Sequence, residues 1–174
     1  MDAIRFIVDT LLWLLLLAFL LRLLLQLVRA SFRDPLADAI VRVTNWLVLP
    51  LRRILPPLRK VDTATMVAVF AAALAHAAAL ALLGPWIPDL AWLLRSALVT
   101  LVTLVLQVYL FALLLYGLAG FIGSDTHAPG MQLVGQLCAP ILKRVRRVIP
   151  PIGKVDFSVL WVSIGIGALL VLLR

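Results

Sequence analysis

Arg52, Arg53 and Asp62 stand at the same intervals as Arg146, Arg147 and Asp156. The first set lies in RRILPPLRKVD and the second in RRVIPPIGKVD, two stretches offset by 94 residues. Both carry a double proline, Pro56–Pro57 and Pro150–Pro151, and a lysine, Lys60 or Lys154. Paired guanidinium groups suit anions, so the chemistry on offer is recognition of anionic lipid headgroups or of an acidic protein partner. The prolines fix two φ values and keep the preceding residue out of a helix. They make a stiff elbow that presents each arginine pair, where a bare helix stop would need no arginines. Asp62 and Asp156 each precede an apolar run, a place where aspartate caps orphan amides and suits the positive helix end. A cation or proton site there would need a second carboxylate, which only the other copy could supply.

Few other groups could do chemistry. Arg22, Gln26, His76 and Gln107 are polar residues inside apolar runs. Arg22 lies about two turns from the basic end of its run by the helical rise, and is expected to snorkel to the headgroups there. Its repeat-equivalent is Tyr116, so it is not part of the shared unit. His76 sits among Ala71, Ala72, Ala75 and Ala79. Such small residues let helices approach while a histidine hydrogen-bonds across them. A proton relay or haem ligand is its sharper reading, and His127, in a connection, is the one other histidine. Gly117, Gly120, Gly165 and Gly167 read as helix-packing positions. The single cysteine, Cys138, excludes an internal disulfide and a thiolate cluster. No Ser-His-Asp set, paired catalytic carboxylates, Walker loop or dinucleotide fingerprint is present. The expectation is a protein that is not an enzyme and takes no cofactor or metal.

Composition dictates the elements that position these groups. Hydrophobic residues are 64% of the 174, charged residues 14%, and glutamate is absent. A soluble domain is nearer ~45–50% apolar. Too few polar side chains remain to cover a core, so the bilayer must solvate much of the surface. Runs at about 6–28, 63–83, about 93–121 and 157–173 approach or exceed the ~17–25 residues of a spanning helix. The third is long enough to tilt, and the fourth is at the short limit with Arg174 to snorkel. All ten prolines fall between these runs. The first run is too long, and too acidic at Asp2 and Asp9, for a cleavable signal. The net charge is +8, and twelve of the sixteen basic residues lie in 29–62 and 122–156. The positive-inside rule makes both long connections cytoplasmic and puts both termini outside. Trp86 and Trp92 suit an outer aromatic belt. Basic residues beside apolar spans read as orientation and headgroup contact, and no nucleic-acid motif accompanies them.

The long connections are themselves helical. Asp34 before Pro35 is an N-cap with proline at the first helical position. Leu36, Ile40, Val43 and Leu47 then form a stripe opposite Asp38, Arg42 and Asn45, over about four turns. In the second copy Met131, Val134, Cys138 and Ile141 oppose Gln132, Gln136 and Lys143. Pro50 and Pro140 stand in different registers, so the two helices are expected to break at different points. Helices of this kind flanked by arginines lie in the interface plane. A re-entrant hairpin would have to bury the arginine pairs.

The doubled Arg-Arg-apolar-apolar-Pro-Pro-x-x-x-apolar-Asp motif, each copy before a hydrophobic span, resembles the YggT family of integral membrane proteins. The second copy, RRVIPPIGKVDFSVL, fits well. The first departs at Arg59, where the family commonly has glycine, and over Thr63 to Thr65. The resemblance covers essentially the whole chain. It implies roles of the kind linked to bacterial members, namely osmotic-shock tolerance, cation uptake, cell division and envelope organisation. Plastid relatives add haem attachment in a cytochrome complex. The reading is an all-α membrane protein with four transmembrane helices in two tandem repeats. Residues 1–83 and 92–174 flank an outer hairpin at 84–91, and each repeat carries a cytoplasmic interfacial helix and a Pro-Pro elbow. The copies share one orientation and so relate by a pseudo-twofold near the membrane normal. The expected function is a scaffold or assembly factor of the bacterial inner membrane, held to anionic lipid headgroups or to a membrane or cytoplasmic protein. Alternatives are a small ion-transport or osmotic-response component, acting as a homo-oligomer, and a haem-attachment assembly factor. A cation path wants acidic or carbonyl-lined positions within spans, and only Asp9 lies in one.

Overall fold

The computed structural model of the chain describes residues 2–30, 34–55, 62–84, 88–122, 130–147 and 156–173. Pro56, Pro57, Lys60, Pro150, Pro151 and Lys154 lie outside the described residues, and with them both elbows. The described residues form helices α1 (Asp2–Leu27), α2 (Pro35–Ile54), α3 (Thr63–Leu82), α4 (Leu90–Ile122), α5 (Met131–Val145) and α6 (Phe157–Leu172), and no strand. Helices α1, α3 and α4 are long and apolar enough to cross a membrane. Helix α6 is equally apolar but has 16 residues, about 24 Å against ~30 Å of hydrocarbon. Helix α4 has 33 residues, roughly 50 Å by the helical rise. It starts earlier than hydropathy suggests because Asp89 caps it, with Oδ1 accepting the Trp92 N–H at 3.0 Å.

The chain divides into two compact units. The first holds residues 1–27 and 39–104. Here α1 packs along α3. Leu16, Phe19, Leu20 and Leu24 are buried on α1, and Ala64, Ala68, Ala72, Ala73 and Ala77 on α3. In lipid there is no water to drive apolar side chains together, so this close approach of alanines supplies the packing. Phe19 meets Trp46 of α2 edge-on, with ring centroids 6.3 Å apart.

The second unit holds residues 28–38 and 105–174. Helix α5 packs on α6. Leu113 of α4, Leu133, Leu137, Cys138 and Leu142 of α5, and Val159 and Ile166 of α6 are buried. Asp34 is the expected cap: its Oδ1 accepts the Leu36 N–H at 2.9 Å. Its other oxygen accepts the Gly130 N–H at 2.7 Å, joining the entry of α2 to the entry of α5. Gly130 has φ +84°, and a Cβ there would come within 2.7 Å of Leu36 Cδ1.

Three expectations need correction. Neither Pro50 nor Pro140 breaks its helix; α2 continues to Ile54 and α5 to Val145. Both prolines lie on exposed faces, where the displaced carbonyl tilts outward and the helix bends instead of ending. The apolar arc of α2 is split. Ala37, Thr44 and Val48 face the protein, while Leu36, Val43, Trp46 and Ile54 are exposed. Of the stripe read from the sequence, Leu36 and Val43 are therefore outward and Ile40 and Leu47 half-buried, because small residues pack closest and hydropathy ranks them low. Finally, Gly117 is a packing position, with a Cβ there 3.2 Å from Val159 Cγ1, but Gly120, Gly165 and Gly167 have nothing within 4 Å.

Candidate functional site

The duplicated arginines and aspartates form two matching clamps. Arg52, in the last turn of α2, places Nε 2.9 Å from Asp62 Oδ2, with Nη2 on the same oxygen. Arg146, just after α5, places Nε 2.9 Å from Asp156 Oδ2, again with Nη2 on that oxygen. Each clamp ties the foot of a connecting helix to the start of the next apolar helix. Asp156 also caps α6, its Oδ1 accepting the Ser158 N–H at 3.1 Å. Asp62 stands at the matching position but its side chain makes no capping bond, contrary to the expectation. Its carboxylate accepts the Thr65 hydroxyl at 2.7 Å instead, whereas the residue at the matching position of the second copy, Val159, has nothing to donate. Burial pushes the Asp62 carboxyl up, but hydrogen bonds from Arg52 and Thr65 outweigh it and hold it below the usual carboxylate value. Arg146 Nη2 also donates to the Tyr116 hydroxyl at 3.3 Å. That bond, and then Asp156, raise the guanidinium above its ordinary value.

The clamps divide the labour within each pair. Arg52 and Arg146 are engaged within the chain, though 45% and 38% exposed, so each ion pair contributes about 1 kcal/mol or less. Arg53 and Arg147 are exposed, as are Lys143 and Arg144. The surface left for an external anion is carried by these outward residues.

Arg22 does not snorkel. It is 2% exposed. Its Nη1 donates to Thr44 Oγ1 at 2.7 Å, Asn45 Oδ1 at 3.0 Å and the Val41 carbonyl at 3.3 Å. The fully buried Thr44 of α2 offers a partner nearer than the headgroups, so the arginine bends onto the neighbouring helix. Gln26, one turn on, donates to Thr65 Oγ1 at 3.4 Å. His76 is buried on α3 and its Nε2 lies 2.8 Å from Asp9 Oδ1 of α1. Gln107 is exposed on α4. Among the described residues no group of three or more histidine, cysteine or acidic side chains could hold a metal ion.

Sequence reasoning missed Asp9, Tyr116 and Thr44 as partners. The matched spacing of Arg52 to Asp62 and Arg146 to Asp156 was a usable sign of pairing. Helices α1 and α3 run antiparallel, as the Asp9–His76 and Gln26–Thr65 contacts show. No residue pattern indicates which turn of α1 meets His76.

The CCB3/YggT family model matches residues 1–83 and 95–174, one segment for each copy of the motif. The chain belongs to the CCB3/YggT family. It is similar to an uncharacterized protein of Pseudomonas aeruginosa, 36% identical over 155 residues, or 88% of this chain and 79% of that one. The uncharacterized protein YggT of Escherichia coli is 27% identical over 158 residues, 91% of this chain and 82% of its own length. An uncharacterized protein of Vibrio alginolyticus is 30% identical over 168 residues, 95% and 90% of the two chains. No solved structure matches the chain significantly.

Proposed function

We propose that the protein is a non-enzymatic membrane scaffold or assembly factor with four spans, α6 being the fourth. It grips anionic lipid or an acidic partner at two points on its cytoplasmic face. The observation that carries this reading is the repeated clamp. Each copy uses one arginine to hold its own geometry and leaves the next, Arg53 or Arg147, exposed. Two weak sites on one frame bind together more tightly than either alone, through effective concentration. A role in envelope organisation, cell division or osmotic tolerance in the bacterial inner membrane fits such a grip and the family resemblance.

The test pairs binding with transport. Arg53→Gln should weaken adsorption of purified protein-containing nanodiscs to anionic vesicles, and adding Arg147→Gln should abolish it. Proteoliposomes should show no ion flux above empty liposomes under an osmotic or electrical gradient. Selective potassium or sodium flux, unchanged by the arginine substitutions, would overturn the scaffold reading. It would promote the second one, a small ion-transport component, which the contact of the buried His76 with Asp9 favours.

A further inference from the structure

The two copies differ where a clamp meets its span. In the first, Arg22 and Gln26 fill that place, directed onto Thr44 and Thr65. The equivalent positions 94 residues later are Tyr116 and Gly120, and Gly135 and Val159 replace Val41 and Thr65. Side-chain volume is removed, and a cleft of about 510 Å³ opens between the end of α4, α5 and the start of α6. Its polar end is made by Tyr116, Arg146 and Asp156, and its apolar walls include Gly117, Gly120 and Val159. A Cβ added at Gly120 would meet nothing within 4 Å, and one at Gly135 only Tyr116 Cε2 at 3.8 Å. These glycines leave space; they do not bring helices into contact. A second concavity of about 480 Å³ adjoins at Arg146 and is lined also by Ala139, Lys143 and Arg147.

We infer that the paired concavities bind a single anionic phospholipid, its phosphate on Lys143 and Arg147 at the edge of the Arg146–Asp156 clamp and the start of an acyl chain in the glycine-walled cleft. This rests on the reading of the basic face as a lipid grip, and adds that only the second copy has a fitted seat. The charge argues for an anion: Lys143, Arg146 and Arg147 stand against Asp156 alone among the charged residues lining the two concavities. The shape argues for a lipid. An anion without a chain would use the basic concavity and gain nothing from an apolar cleft of ligand-pocket size. Headgroup contacts supply the preference, since an acyl chain exchanges one apolar surrounding for another. The cleft lets the glycerol end sink until the phosphate reaches Lys143 and Arg147. In the first copy the buried Arg22 and the hydrogen-bonded Gln26 stand at the equivalent positions.

The experiment is native mass spectrometry of the full chain, released from micelles holding equal phosphatidylglycerol and phosphatidylethanolamine. The wild type should retain one phosphatidylglycerol per chain in preference to phosphatidylethanolamine. Gly120→Gln restores the first-copy residue in open space, and Gly135→Val can be added where a Cβ meets only Tyr116 at an ordinary contact distance. It should cut retention roughly tenfold or more without lowering the melting temperature. Arg147→Gln should cut it by about tenfold, the value of a charge-assisted bond, and Arg53→Gln should leave it unchanged. Phosphatidylglycerol retained despite Gly120→Gln, or released equally by Arg53→Gln, overturns the seat while the two-point grip stands. No preference for phosphatidylglycerol in the wild type, by retention or vesicle adsorption, overturns both. Competition by glycerol phosphate as effective as that by the lipid overturns the acyl part and makes this a soluble-anion site.

Discussion

Valine in place of Thr44 separates a buried tie from a snorkelling arginine. The substitution is nearly isosteric and removes the shortest of three bonds from Arg22 Nη1, the one at 2.7 Å, together with the hydroxyl's local bond to the Ile40 carbonyl. Hydrogen bonds to charged groups contribute ~1.5–3 kcal/mol, while interhelical bonds in membranes average ~0.6 and reach ~1.7. The overlap of these ranges puts Thr44→Val at about 1.5 kcal/mol. Adding Asn45→Leu leaves that nitrogen with the Val41 carbonyl at 3.3 Å as its one remaining acceptor. A buried charge stranded this way costs ~3–5 kcal/mol. Removing the charge as well, in Arg22→Leu with both changes, should recover most of the loss, because apolar replacement of buried ionic groups is often neutral or better. Equilibrium unfolding in mixed micelles, followed by helical circular dichroism, gives the three values. If the Thr44/Asn45 double variant lies within about 0.5 kcal/mol of wild type, a surface-like effect, the guanidinium reaches the headgroups and the tie is wrong. If the triple variant is no better than the double, the loss is one of packing and not of stranded charge.

The folded-state pKa of Asp62 lies below its unfolded value, so its contribution is fully present at neutral pH. That contribution should fade as pH falls from about 4 through the folded value; Asp62→Asn should flatten the acid limb of an unfolding titration. Gly130→Ala, at φ +84° and 2.7 Å from Leu36 Cδ1, should cost ~1–3 kcal/mol from backbone strain and lower the melting temperature, whereas Gly120→Ala should not. Val43→Asp alters an exposed position and Val48→Asp a buried one. The first should fold in detergent yet accumulate poorly in membranes, and the second should fail in both; normal accumulation of Val43→Asp would detach α2 from the bilayer. Cys138 is buried, and burial pushes its thiol up to about 11. A membrane-impermeant maleimide should miss it even in opened membranes and label it after unfolding. Cysteine at the exposed Lys143, in a Cys138→Ala background, should label from the cytoplasmic side only.

Periodicity carried the helices well, because hydropathy reports directly on which backbone can lie in lipid. Helices α1, α3 and α4 stand where the apolar runs are, and Asp34 caps α2 as its place before Pro35 implied. What escaped was rotation about each helix axis. Alanine and threonine faces, Ala37 and Thr44 among them, are nearest the protein, while the larger Leu36 and Val43 look outward. In water the larger residues would have been drawn in; in lipid nothing draws them. The clamps were half legible. Arg52 and Asp62 were singled out, but as separate devices, one for an external anion and one for a helix end. The cleft was hidden because it is made of what the second copy lacks, and the glycine at 120 reads as a contact.

Asp34 and Gly130 are 96 residues apart in the chain yet share a 2.7 Å hydrogen bond. During synthesis the aspartate emerges first. At ~5–20 residues per second, its distant partner follows about 5–20 seconds later. Over that interval the Asp34 cap can reach Leu36 but not Gly130, and α2 has its local start without its long-range anchor. The nascent first copy therefore waits at the bilayer with one carboxylate oxygen still turned to solvent or headgroups. A stop codon after the first copy would leave that oxygen without the Gly130 N–H, so one bond at the start of α2 depends on the delivery of the later copy.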